Sequence, residues 1–197
     1  MTVQTIVVGD IQTNCYIIED GGEAAVIDAG GDVAAIVTAL PVPPKYVFAT
    51  HGHFDHVLAV PELLREFPAA KFYMHDADKD FRGITGFVPA REIAEIHTYK
   101  EGDRLALGDA EVEVLETPGH SKGSVTLKVA DSLFTGDTLF FETCGRVDFP
   151  GGNIEEMLRS LRKLSELKGG ASVFPGHGEE TTLKHERRNN RYMREGV

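Results

Sequence analysis

Thr50-His51-Gly52-His53-Phe54-Asp55-His56 puts four side chains able to ligate a metal within six residues, in a chain that holds only eight histidines. The run before it, Tyr46–Ala49, is short and apolar enough to read as a buried strand. In an extended turn side chains two apart face the same way, so His51 and His53 suit one ion. Asp55 and His56 are adjacent, diverge, and suit a second ion beside the first. Gly52 would let the backbone pack closely under the pair, and a helix starting near Ala59 would fix the far end of the loop. A capping role would explain one such residue, not four.

Three more positions have the same character: His120 in Thr117-Pro118-Gly119-His120, Asp137 in Thr135-Gly136-Asp137, and His177 in Pro175-Gly176-His177. Each follows a glycine just past an expected strand, where open α/β sheets place their sites. Singly, the histidines would be loop residues and Asp137 a turn former. Together with the first cluster they complete two sets. His51, His53 and His120 would hold one ion, and Asp55, His56 and His177 the other, with Asp137 between them.

Outward from these loops, Thr5–Val8, Cys15–Ile18, Ala25–Asp28 and Lys71–Met74 read as strands. Asp32 caps a helix carrying Val33, Ile36, Val37 and Leu40, and Pro61–Phe67 is a second helix. The irregular stretch 75–102, with Phe81, Ile84, Phe87 and Val88, has the character of a lip over a cleft. Glu111–Leu115, Val125–Val129 and Ser132–Thr135 alternate as antiparallel strands do. Asn153 and Glu156 make a capping-box start for a helix with an apolar stripe through Met157, Leu161 and Leu164. Ser172–Phe174 is a last strand, followed by a basic helix whose Lys184, Arg187, Arg188, Arg191 and Arg194 fall on one face.

The chain has 197 residues, 42% hydrophobic and 26% charged, which fits one domain over 1–197. A net charge of −11 argues against nucleic acid and anionic membranes as partners. No apolar run approaches the ~18 residues of a membrane span, and no signal-like segment opens the chain. A cytoplasmic monomer or small homo-oligomer is expected, with Cys15 and Cys144 as thiols. Cys144 has no base partner in the motifs and reads as a bystander.

The seven ligand residues resemble the metallo-β-lactamase superfamily, whose signature is H-x-H-x-D-H followed by a distant His, Asp and His. Asp28 in Val26-Ile27-Asp28-Ala29-Gly30 matches that family's early strand-end Asp, as a support for the ligands. Gly136-Asp137-Thr138-Leu139-Phe140 and Cys144-Gly145-Arg146-Val147-Asp148-Phe149-Pro150-Gly151-Gly152 narrow the likeness to glyoxalase II, the hydroxyacylglutathione hydrolases. The resemblance implies an α/β fold, an αββα sandwich of two mixed sheets between outer helices. It also implies two divalent ions, zinc first and iron or manganese otherwise.

Asp55 and Asp137 would be the catalytic carboxylates, orienting a hydroxide that bridges the ions, and the substrate S-D-lactoylglutathione or a related thioester. A water held between two such ions ionises near neutral pH, and a thiol leaves readily as thiolate. The ions leave the cleft net positive, so a small anionic thioester is the expected partner, with Arg146, at the family's Gly-Lys/Arg position, and Lys122 as anion contacts. Two departures stand out. Typical glyoxalase II enzymes have a third His at Gly52 and a Tyr near Gly178-Glu179. They also carry a helical C-terminal domain that grips glutathione, whereas twenty residues follow His177 here. A terminal helix folded over the cleft would let Arg187 or Arg188 hold a substrate carboxylate instead.

Related readings use the same residues. A persulfide dioxygenase would hold one iron on the residues matching His51, His120 and Asp137. Lactonase or phosphodiesterase chemistry would use the same metal site. A non-catalytic metal-binding scaffold would be free to lose ligands, yet all seven are present.

Overall fold

The structure is a computed structural model that describes residues 1–80 and 93–195. The expected lip around Phe81, Ile84, Phe87 and Val88 lies outside the described residues. A first sheet contains β1 (Thr2–Val8), β2 (Thr13–Asp20), β3 (Glu23–Ile27), β4 (Pro44–Phe48), β5 (Lys71–His75) and β6 (His97–Tyr99) in that order. It is antiparallel from β1 to β3 and parallel from β3 to β6. The second sheet uses β7 (Arg104–Leu107), β8 (Ala110–Glu116), β9 (Val125–Val129) and β10 (Ser132–Gly136). A small hairpin, β11 (Leu139–Phe140) and β12 (Thr143–Cys144), precedes its last two strands, β13 (Ser172–Pro175) and β14 (Thr181–Thr182). The helices are α1 (Val33–Ala39), α2 (Phe54–Val57), α3 (Val60–Glu66), α4 (Asp76–Lys79), α5 (Ile154–Ser165), α6 (Leu183–Asn189) and α7 (Arg191–Glu195).

Strand alternation builds the layers. On β2, Cys15 and Ile17 face a core shared with Ile36 of α1 and Val60 and Leu63 of α3. Tyr16 and Ile18 face the other way, into an inter-sheet core with Phe48, Val114, Leu127 and Phe134. A third core packs Met157, Leu161 and Leu164 of α5 and Met193 of α7 on Leu133 and Val173 of the second sheet. Burying side chains of this size contributes roughly 1.5–3 kcal/mol each, so α5 is fixed by its stripe more than by its length. The order helix, sheet, sheet, helix is the expected αββα sandwich.

Several local expectations change. Asp32 begins α1 without a side-chain cap, because its carboxylate accepts from the Gly9 N–H at 2.8 Å and its backbone is left-handed. Asn153 caps Glu155 and Glu156 of α5, but its own N–H goes to the Gly119 carbonyl at 2.8 Å, so the box is one-sided. The loop after β4 turns helical at Phe54, five residues before the helix start expected near Ala59. The basic terminal segment is two helices, not one. Buried Asn190 breaks it by holding the Thr143 carbonyl and the Glu186 carboxylate with its amide while its oxygen accepts from Tyr192 N.

Candidate metal centre

All seven expected ligands sit at one edge of the two sheets. His51 and His53 follow the end of β4, His53 in extended backbone, and Asp55 and His56 lie in the turn of α2 that comes next. His120 comes from the loop between β8 and β9. Asp137 and His177 follow β10 and β13, which run parallel with Gly136 beside Pro175 and so deliver both side chains to the same edge. Their ligand atoms form three overlapping groups: His51, His53, His120; His51, His56, Asp137; and Asp55, His56, His177, each group within 4.8 Å. The expected triads are brought together. Asp137 lies between them, with Oδ1 3.4 Å from His56 Nε2 and Oδ2 3.4 Å from His120 Nε2 and 3.8 Å from His177 Nε2.

The outward nitrogens fix which atom each imidazole presents. His120 Nδ1 donates to the Arg146 carbonyl at 2.8 Å, and His177 Nδ1 to the Gln12 carbonyl at 3.2 Å. Carbonyls only accept, so both rings keep their Nε2 lone pairs for the cleft. Thr50 Oγ1 donates to Asp28 Oδ2 at 2.8 Å, leaving its lone pair for His51 Nδ1 at 3.2 Å. His56 Nδ1 stands 2.9 Å from Asp28 Oδ2, a charge contact rather than an aligned hydrogen bond. Asp28, whose backbone is left-handed at φ 57°, therefore supports a ligand from each set. Four Nε2 atoms point inward, and His53 Nδ1 meets His51 Nε2 at 3.0 Å and His120 Nε2 at 2.8 Å. Even when protonated, His53 Nδ1 has one hydrogen to share between two neighbours that are themselves lone pairs. His56 Nε2 and Asp137 Oδ1 are buried with no hydrogen-bond partner. Such orphans cost about 1–3 kcal/mol each, and a divalent cation in an N/O donor set would satisfy them.

Burial and the neighbouring histidines push His51 well below the ordinary imidazole range and His53 down to about 4. Burial works against charge on His56 too, but Asp28 and Asp137 outweigh it and raise the ring well above its usual value. His177 is raised likewise: its burial is outweighed by Asp55 and Asp137. Asp55 and Asp137 are held low by the histidines despite burial. His51 and His53 are thus ready as neutral ligands, while His56 and His177 hold protons that a metal must displace.

The expected substrate contacts separate. Arg146 lines the cleft with His53, His120 and Phe149. Lys122 is exposed and lines a separate hollow of about 200 Å³ beside Ala77 and Pro150. Arg187 does not face the cleft: its guanidinium donates to the carbonyls of Ser165, Leu167 and Gly169 at the C-terminal end of α5, where cations are favoured. Arg188, on α6, is exposed and is not among the cleft's lining residues. Cys144 is half-buried, and burial pushes its thiol up to about 11, which leaves it inert.

Some residues had no sequence signal. Thr13 Oγ1 donates to Asp55 Oδ2 at 3.1 Å, and Asn14 Nδ2 ties the His177 loop through the Pro175 and Gly178 carbonyls at 3.0 Å each. Asp78, buried in α4, accepts from Gly52 N at 2.9 Å, Ser121 Oγ at 2.6 Å and Gly123 N at 2.8 Å. It latches the loop carrying His51 and His53 to the loop carrying His120. A Cβ on Gly52 would stand 2.8 Å from Asp78 Cβ, which is the physical reason for glycine at a position where glyoxalase II enzymes typically carry histidine.

The sequence profile of the Metallo-beta-lactamase superfamily matches residues 8–177, ending on the last of the seven expected ligands. The chain belongs to the metallo-beta-lactamase superfamily. As a metal-dependent hydrolase of that superfamily, it is 38% identical to an uncharacterized protein of Aquifex aeolicus over 95% of this chain and 94% of that one. It is 33% identical to the hydroxyacylglutathione hydrolase GloC of Haemophilus influenzae over 98% of both. Among solved structures, BLEG-1 B3 metallo-beta-lactamase superposes with a TM-score of 0.85 at 32% identity, covering 98% of this chain and 99% of that one. TTHA1623 in a di-iron-bound form gives 0.82 at 31% identity, covering 96% and 99%. ETHE1 from Myxococcus xanthus gives 0.80 at 28%, covering 97% and 84%. Among the described residues no helix is long and apolar enough to cross a membrane.

Proposed function

We propose that this metallo-beta-lactamase superfamily chain hydrolyses a small-molecule thioester, as a glyoxalase II-like enzyme, at a centre for two divalent ions. The observation that carries the reading is the carboxylate of Asp137, which faces both donor triads at once. His51, His53 and His120 would hold one ion, and Asp55, His56 and His177 the other, with Asp137 shared. Zinc and iron both suit this N/O set. When bound, the ions would supply Lewis acidity and a water whose pKa falls from 15.7 to about 7.

The chain's own residues do the positioning. Thr13 orients the Asp55 carboxylate, Asp28 and Thr50 orient His56 and His51, and the backbone carbonyls of Gln12 and Arg146 orient His177 and His120. A cleft of about 540 Å³ opens over them, within the ~300–1,000 Å³ usual for small ligands. A thioester suits a site without a strong general acid, because its thiol, with a pKa of about 8.5, leaves as thiolate. The likeness to GloC supports the acyl-thioester class, and lactoylglutathione is the first substrate to try. The test is a thioester panel on metal-loaded protein: acid and free thiol should appear together, and silence across the panel defeats the reading.

A second reading rests on the likeness to ETHE1. There a single iron would sit on His51, His120 and Asp137 and the protein would act as a persulfide dioxygenase. Oxygen uptake with a persulfide, with one iron per chain, would select it.

A further inference from the structure

Four cations were available for an anionic substrate, and the structure commits most of them elsewhere. Arg187 is spent on the α5 carbonyls, Lys122 lines a neighbouring hollow, and Arg188 is not among the lining residues of the cleft. Arg146 alone lines the cleft, and it is already paired. Its Nε and Nη2 donate to the two carboxylate oxygens of Asp148 at 2.7 Å each, a bidentate pairing that uses two of the guanidinium's five N–H donors. Its flat face lies on the Phe149 ring, 3.7 Å from the centroid. The partner carboxylate is held down to about 2 by this contact, so the pair stays charged and mutually neutralising throughout the neutral range. Among the described residues, the lining other than Arg146 and the expected metal ligands is Ile11, Phe54, Phe140 and Phe149, all apolar. Phe149 stands edge-on to His53 with ring centroids 6.1 Å apart, so this apolar wall begins at the metal centre itself.

We infer that the substrate arm lying along Phe149 is uncharged and apolar, and that Asp148 enforces this by occupying the guanidinium of Arg146. The inference rests on the thioester-hydrolase reading and places any charged arm of the substrate away from Phe149. An arm ending in a carboxylate would have to displace Asp148, crowd a second negative charge beside it on the same guanidinium, or lie unpaired against Phe149 and Ile11. An aliphatic or aromatic arm would gain contact with the wall and disturb nothing. Asp148 is a specificity residue in this scheme, because it acts through Arg146 and is not itself one of the expected metal ligands.

The test is calorimetric binding to the metal-loaded protein of two non-hydrolysable thioethers of the same thiol, matched in length, one ending in phenyl and one in carboxylate. The wild type should bind the phenyl compound more tightly. Asp148→Asn frees Arg146 and should tighten the carboxylate compound about fivefold, the upper end for an exposed ion pair. Phe149→Ala should weaken the phenyl compound about tenfold, as loss of a half-buried ring does. Tighter binding of the carboxylate compound by the wild type, or no change in its binding on Asp148→Asn, would overturn the inference. Thiol release from the two matching thioesters is scored separately. Its absence defeats the hydrolase reading, while the binding preference still decides the inference.

Discussion

Asp78→Asn is the most informative single substitution, because the carboxylate belongs to neither ligand set and yet joins two ligand loops. The isosteric amide keeps one acceptor oxygen, which can still serve Gly52 N and Ser121 Oγ, at 2.9 and 2.6 Å in the native protein. Its NH₂ would then face the Gly123 N–H, donor against donor, where the carboxylate now accepts at 2.8 Å. Ser121 has a second partner in Ser124 Oγ at 2.8 Å, so its hydroxyl is not stranded in either orientation. One orphaned buried amide costs about 1–3 kcal/mol, a large share of the roughly 5–15 kcal/mol that holds a domain together. Displacing the loops should also weaken the ion on His51, His53 and His120 by about 10–100-fold, as loss of a ligand-orienting partner does. The ion on Asp55, His56 and His177 should be affected less. Urea unfolding of metal-free protein reads the first effect, and a two-site metal titration reads the second. A loss below about 0.5 kcal/mol, together with equal weakening of both sites, would refute the latch.

Other predictions concern protons, packing and the terminal helices. In metal-free protein His56 and His177 are raised above the usual imidazole range, whereas His51 and His53 are lowered. A raised imidazole must lose its proton before it can ligate, so the ion on Asp55, His56 and His177 should bind more weakly as pH falls from roughly 8 to 6, with proton release. The ion on the His51 and His53 side, where those two imidazoles are already neutral, should bind with a weaker dependence on pH there. Calorimetry in buffers of different ionisation heat separates the two, and equal proton release from both would contradict the assignment. Gly52→Ala should destabilise the loop, since its new methyl would crowd Asp78 Cβ at 2.8 Å and the Asp78 carbonyl at 3.1 Å; a lower Tm and lower metal occupancy are the readouts. Arg187→Ala should lose about 1–3 kcal/mol of stability with KM unchanged, because its hydrogen bonds close α5. A raised KM with unchanged stability would restore it to substrate binding.

The layers were legible where periodicity carried them. Alternation on β8 and β9 and the stripe on α5 are statements about which side meets the core, and burial enforces them. The candidate site was legible because seven donors of the right type stood in the loops just past strand ends. What escaped was anything set by contact between distant segments. Asp78 looks like any surface helix residue until Gly52 and Gly123 close on it. Thr13 and Asn14 gain their roles only because β2 starts beside the His177 loop. The short strands β6 and β7 carry too few residues for a period. Arg146 and Arg187 read as available cations because a sequence shows a charge and not its partner. The partners, Asp148 two residues on and carbonyls about twenty residues back, decide what each does.

The account stands most directly on where metal binds. Anomalous diffraction from crystals of protein purified with its native metal, combined with elemental analysis, should show two ions per chain. One should lie among His51, His53 and His120 and the other among Asp55, His56 and His177, with Asp137 touching both. A protein that takes up no divalent ion, or binds it away from these seven side chains, would contradict the assignment of the cleft as a metal centre.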